Sequence, residues 1–135
     1  MDKNSTNPIE EGTELQLQFE KRDGLLPVVV QEYSSGEILM IASVNGEAVN
    51  QTIKTGKATF WSTSRNKLWV KGETSGNTLL VEEILVDCDQ DALVYKVVLD
   101  GDGACHTKNK DGIPRTSCFY RKLNLNTLEL DFLEK

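Results

Sequence analysis

Apolar and polar residues alternate along residues 15–19, Leu-Gln-Leu-Gln-Phe, the period-two pattern of a strand with one buried face. Residues 25–30 form an apolar run rich in β-branched side chains, Ser34, Ser35 and Gly36 supply turn chemistry, and residues 38–44 are apolar again, which predicts a hairpin. Asn45 then suits a helix N-cap: Val44 and Val49 fall at the two positions of a hydrophobic staple, Val49 and Ile53 share a face, and Gly56 suits the left-handed residue that ends a helix. A helix of about three turns is expected between these caps. A second hairpin follows from residues 58–62 and 68–71 around Ser64-Arg65-Asn66-Lys67, while Glu73-Thr74-Ser75-Gly76-Asn77 reads as loop. Residues 79–86 and 92–99 are the two strongest strand candidates, joined through an acidic segment, and residues 118–125 and 128–132 add two more. Many short strands with one clear short helix predict an α+β fold, mainly antiparallel β-sheet.

Composition narrows the picture. With 135 residues the chain fits one domain, expected over residues 13–135, behind a flexible N-terminal tail at residues 1–12 that is polar and carries Pro8, Glu10 and Glu11. No apolar run approaches the ~18 residues of a membrane span, and the N-terminus lacks the basic-then-apolar order of a signal peptide. A cytoplasmic location is therefore expected, where thiols stay reduced and three cysteines read as metal ligands, catalytic groups or core residues, not disulfides. A net charge of −6 argues against nucleic acid and anionic membranes as partners. It leaves room for a small anionic ligand on a few gathered cations, for which Arg65, Lys67, Lys71, Arg115, Arg121 and Lys122 are available.

Candidate chemistry concentrates at residues 87–107. Asp87, Asp89 and Asp91 open a D-x-D-x-D pattern, but an EF-hand needs Gly at its sixth position and Glu at its twelfth, where this chain has Ala92 and Val98. A hard cation such as Mg²⁺ on the three carboxylates and a plain acidic turn between two strands both fit the pattern. Along a straight strand the outer aspartates would lie about 13 Å apart, whereas oxygens on one Mg²⁺ are at most about 4.2 Å apart, so one shared ion requires the chain to bend. Cys88, Cys105 and Cys118 lack C-x-x-C spacing, although Cys105 follows a Gly-rich turn and adjoins His106, the only histidine. Three protein ligands with one open position is the pattern of a catalytic zinc site, and buried packing is the bland alternative.

Four motifs in order carry a resemblance: FWSTSRNKLWVKGETSGN at 60–77, VDCDQDAL at 86–93, GACHT at 103–107 and SCFYR at 117–121. Over residues 24–121 the chain resembles the phosphoribosyl-AMP cyclohydrolases of histidine biosynthesis. The resemblance implies hydrolysis of the N1–C6 bond of the adenine ring of N1-(5-phosphoribosyl)-AMP by an interlocked homodimer. It further implies a zinc site on Cys88, Cys105 and Cys118, shared across the subunit interface, and a magnesium site on Asp87, Asp89 and Asp91. His106 is the candidate general base, histidine being the side chain type that titrates nearest neutral pH. Ser62, Ser64, Arg65, Lys71, Glu73, Ser75 and Thr107 are the candidate substrate-binding residues. Trp61 and Trp69 could stack on the purine, but the alternation around each favours core packing.

The chain departs from the family at one place. Typical members put about six residues between the second and third cysteines, and here residues 106–117 intervene. The inserted stretch, 108–116, reads as an extended surface loop that could offer Lys108 or Arg115 to a phosphate. Only 14 residues follow Arg121, so a monofunctional enzyme is expected, without the pyrophosphohydrolase fused to some members. The main rival is a non-catalytic dimeric binding module stapled by zinc, which a fourth protein ligand on the metal would favour. A zinc deaminase is disfavoured because H-x-E and P-C-x-x-C are absent.

Overall fold

The structure, a computed structural model, describes residues 7–135; the first six residues of the expected tail lie outside the described residues. Pro8–Glu11 forms a single helical turn, α1, capped by the Asn7 side chain on the Ile9 N–H at 2.9 Å. The chain then runs to a 3₁₀ turn, Phe19–Arg22, which ends on Asp23 in the left-handed region at φ 56°.

Four strands form the main sheet: β1 (Leu26–Glu32), β2 (Ile38–Val44), β5 (Thr78–Val86) and β6 (Leu93–Asp100), in the order β2-β1-β6-β5. The β1–β2 and β5–β6 pairs are antiparallel hairpins, as their patterns suggest. The joint between them is parallel, with Val28 opposite Leu93, a pairing no local pattern announces. Pro27 sits just outside that parallel ladder, where its missing N–H costs no hydrogen bond to β6. Leu26, Val28 and Val30 of β1 and Leu93, Tyr95 and Val97 of β6 are buried on alternating positions and form one face of the core.

That face is covered by α2 (Gly46–Thr55) and the hairpin of β3 (Thr59–Ser62) and β4 (Lys67–Val70). Asn45 caps α2 through its side chain on the Ala48 N–H at 2.8 Å, and Gly56 ends it at φ 76°. The buried face of α2 is Ala48, Val49 and Thr52, whereas Ile53, expected beside Val49, is 58% exposed. Thr52 fits the interior because its hydroxyl is satisfied, donating to Ala48 O at 2.9 Å and accepting from the Thr59 N–H at 3.0 Å. Phe60 stacks on Tyr95 at 6.1 Å between ring centroids and meets Trp69 at 5.4 Å, which places Trp69 against the core.

Residues 15–19 do not form the expected strand. Leu17 and Phe19 pack on the core, but the backbone finds its partner in one residue: the Gln16 N–H donates to the Gln90 side chain at 2.7 Å and the Gln18 N–H to Gln90 O at 2.8 Å. A short hairpin, β7 (Arg121–Leu123) with β8 (Leu130–Phe132), closes the chain. The protein is α+β with mainly antiparallel sheet and one helix longer than two turns, and among the described residues no helix is long and apolar enough to cross a membrane.

Candidate metal centre

The acidic segment bends. Between β5 and β6 the Asp87 N–H donates to Ala92 O and the Gln90 N–H to Asp87 O, both at 3.1 Å, with Gln90 in the left-handed region at φ 57°. The Asp87 carboxylate accepts from the N–H groups of Asp91 at 2.9 Å and Ala92 at 3.0 Å, an arrangement in which the side chain shapes its own turn. One carboxylate oxygen from each of Asp87, Asp89 and Asp91 lies within 4.8 Å of the others. That separation is close to the ~4.2 Å span of opposite oxygens on an octahedral Mg²⁺, so the donor set fits a hard divalent cation after a small contraction.

Two cations reach this cluster from the 3₁₀ turn. Lys21 Nζ lies 3.1 Å from Asp91 and 3.2 Å from Asp89, and an Arg22 Nη lies 3.2 Å from Asp91. The Lys21 hydrogen bond holds the Asp91 carboxyl at a pKa of about 2, while partial desolvation pushes Asp87 above its usual range. Asp91 is the buried member, at 5% exposure. Gln90 ties the turn to the N-terminal segment by donating through Nε2 to Ile9 O at 3.1 Å and Glu14 O at 3.2 Å. Nothing local in the sequence pairs Lys21 or Arg22 with these aspartates, which lie 65 residues or more further along the chain, or Gln90 with Ile9 and Glu14.

The thiols are arranged differently. Cys105 is buried, while Cys88 and Cys118 are exposed. Burial raises the Cys105 thiol, but the Thr107 hydroxyl at 2.9 Å, the Thr107 N–H at 3.4 Å, the neighbouring Cys118 and the Arg115 charge outweigh it, so its pKa falls below the ordinary thiol value. Although its surface is exposed, the Cys118 sulfur is partly desolvated beside Cys105, and this together with the adjoining thiol pushes it up to about 11. Two thiols in such contact suit a tetrahedral zinc, whose sulfur ligands stand about 3.8 Å apart. Cys88, on the acidic turn, does not join them: among the described residues the aspartate triad is the one three-member group of metal-type side chains.

The thiol pair is held by the return of the inserted stretch. The Cys105 N–H donates to Arg115 O and the Ala104 N–H to Thr116 O, both at 3.0 Å, and the Cys118 N–H donates to Leu39 O at 2.7 Å. Gly103 makes this approach possible, since a Cβ there would collide with the carbonyls of Pro114 and Arg115. His106 is exposed beside Cys105, and Thr107 is half-buried with its hydroxyl on the sulfur.

Apart from Thr107 on Cys105, the expected substrate-binding residues fall into two groups. Ser62, Ser64 and Arg65 share the β3–β4 turn, where Ser62 Oγ accepts from the Arg65 N–H at 3.2 Å and lies 3.3 Å from Ser64 Oγ. Lys71, Glu73 and Ser75 occupy the loop after β4, at the other end of that hairpin. Lys71 reaches toward the thiols, where its charge acts on Cys118, and its Nζ lies 5.7 Å from the Trp69 ring centroid.

A model of the phosphoribosyl-AMP cyclohydrolase family matches residues 40–120, a span that holds the acidic turn, all three cysteines and His106. The chain belongs to the phosphoribosyl-AMP cyclohydrolase family. Among proteins of that name it is 49% identical to the one from Desulfotalea psychrophila over 118 residues, 87% of this chain and 88% of the relative. It is 50% identical to that of Geotalea uraniireducens over 108 residues, 80% and 82% of the two chains, and 51% identical to that of Hyphomonas neptunium over 114, 84% and 81%. The protein is thus an enzyme of the cyclohydrolase family, with an acidic cluster able to hold a metal ion. The family match stops at residue 120, so β7 and β8 lie beyond it.

Proposed function

We propose that this chain hydrolyses the N1–C6 bond of the adenine ring of N1-(5-phosphoribosyl)-AMP, the ring-opening third step of histidine biosynthesis, as a cytoplasmic homodimer. The observation that carries this reading is the gathering of Asp87, Asp89 and Asp91 on a turn inside the span matched by the family. The hard centre is Mg²⁺ on those three carboxylates. The soft centre is zinc on Cys105 and Cys118 with Cys88 of a second copy, a sharing supported by the separation of Cys88 from the other thiols within one chain. Leu85 and Val86, exposed immediately before Asp87, support a protein partner at this surface.

A zinc ion held by these thiolates would supply Lewis acidity, which the charge of three sulfur ligands would temper relative to a three-histidine site. A separate base is therefore needed, and His106 serves: its exposed imidazole takes the proton as the water oxygen bonds to C6. The hydroxyl proton passes to the exocyclic nitrogen, the C6 carbonyl forms as the C6–N1 bond breaks, and the imidazolium returns its proton to N1. The Thr107 hydroxyl on Cys105 favours the anionic form of that sulfur. Lys71 and Arg65 bind phosphate oxygens, Ser62, Ser64 and Ser75 add hydroxyl donors, and Glu73 accepts from ribose hydroxyls.

The test follows ring opening of phosphoribosyl-AMP by ultraviolet absorbance, with zinc and Mg²⁺ varied independently. Turnover that needs both metals supports the reading. Turnover that survives removal of both contradicts the metal assignments, and no turnover with both present contradicts the function.

A further inference from the structure

The inserted stretch between Cys105 and Cys118 is not a loose loop. Lys108 and Pro114 form an antiparallel bridge, the Asn109 N–H donates to Ile113 O at 2.8 Å, and the Asn109 side chain accepts from the Asp111 and Ile113 N–H groups. The C-terminal segment clamps this small hairpin. Glu134 accepts from the Thr116 N–H at 3.1 Å through Oε1 and from Asn109 Nδ2 at 3.3 Å through Oε2, while the Lys110 N–H donates to Lys135 O at 2.8 Å. Arg115 donates through Nε to Glu134 O at 3.0 Å and lays its guanidinium 4.1 Å from the Tyr120 ring centroid and 5.6 Å from that of Phe132.

These contacts border an open surface cavity of about 280 Å³ lined by Lys108, Asn109, Lys110, Arg115, Phe132 and Lys135. Four of its six lining residues have cationic side chains and none an acidic one, on a chain whose net charge is −6; the one carboxylate in the lining is the terminal group of Lys135, whose oxygen already accepts from the Lys110 N–H. Both carboxylate oxygens of the adjoining Glu134 are engaged, by Thr116 and Asn109. We propose that this cavity binds a phosphate monoester dianion, with Lys108, Lys110, Lys135 and the outward nitrogens of Arg115 as its partners. The Arg115 fork is held by its ring stacking and its Nε hydrogen bond, so little further ordering is needed for two N–H groups to grip one phosphate. The Arg115 carbonyl accepts from the Cys105 N–H, and adjacent backbones so paired stand about 4.8 Å apart, which puts the cavity within one nucleotide's reach of the thiols. Two sources share this chemistry: one phosphate end of the substrate, which rests on the ring-opening reading, and a free phosphate-bearing metabolite, which does not.

The experiment titrates zinc-loaded protein with inorganic phosphate by calorimetry, comparing wild type with Lys108→Gln/Lys110→Gln at low and moderate salt. Wild type is expected to bind, to weaken with salt, and to lose about tenfold in affinity in the double variant, the loss expected when two cations leave an exposed anion site. Equal affinity in both proteins, or no binding by wild type, overturns the proposal. Should the double variant fail to fold, Lys110→Gln alone gives the same comparison with a smaller drop. In turnover assays, competitive inhibition by phosphate with a raised KM in the variant supports the substrate's own phosphate; non-competitive inhibition at unchanged KM supports a separate anion. Normal phosphate binding by a wild type that opens no ring leaves the site standing and removes the ring-opening reading.

Discussion

Asp87 and Cys88 are adjacent in the chain, yet on the proposed reading they serve two centres built in different ways. The carboxylate centre is assembled by its own backbone: the Asp87 side chain closes the turn and a left-handed Gln90 brings Asp91 round to meet it. The thiol pair is assembled by distant segments, with Cys105 fixed on Arg115 O and Cys118 on Leu39 O, and Cys88 does not join it within the chain. A local centre can form in any folded monomer. One that spans segments depends on the fold around it and, on the proposed reading, on a second copy of the chain.

The largest expected effect breaks the thiol centre alone. Cys105→Ser should abolish ring opening and release zinc while Mg²⁺ affinity stays within twofold of wild type, measured by metal analysis and calorimetry; loss of both metals together would mean that the two centres are not separate. His106→Ala comes next: turnover should fall by about 10²–10⁴, the usual contribution of a positioned acid–base group, with both metal contents unchanged. Wild-type turnover across pH 6 to 9 would remove His106 from the role of base. Asp87→Asn keeps an oxygen for the Asp91 and Ala92 N–H groups but removes a charge. The melting temperature should hold while Mg²⁺ affinity drops by about 100-fold or more, beyond the roughly 10–100-fold that outer-shell changes cost. A variant with unchanged Mg²⁺ affinity would leave Asp87 as turn chemistry only. Smallest is Lys21→Met, which removes a cation competing for Asp89 and Asp91. Divalent-cation affinity should rise about two- to fivefold, the worth of one exposed ion pair, and a fall would make Lys21 a support of the site.

The same contrast explains what the sequence could disclose. Local rules were enough for α2, because Asn45 and Gly56 are caps whose chemistry is contained in the residues themselves, and for β1 with β2, where the run and its turn are contiguous. They failed at residues 15–19, where alternation correctly places Leu17 and Phe19 inward but cannot reveal that Gln90, not a neighbouring strand, takes the backbone hydrogen bonds. They were silent on the parallel joint of β1 and β6, which depends on contacts between residues about 65 apart. Spacing showed that three aspartates need a bend to share one ion, and the bend is there, made by Gln90 adopting a conformation its residue type does not advertise. Lys21 and Arg22 escaped notice because their only connection to the aspartates is through the fold.

The central claim is that the carboxylate centre belongs to one chain and the thiol centre to two. Mixing inactive Cys88→Ser and Cys105→Ser proteins, with subunit exchange verified, tests it directly. Each hybrid dimer would hold one intact thiol set, so random exchange should restore about a quarter of wild-type ring-opening activity. No recovery after confirmed exchange would contradict the account and place each thiol site within a single chain.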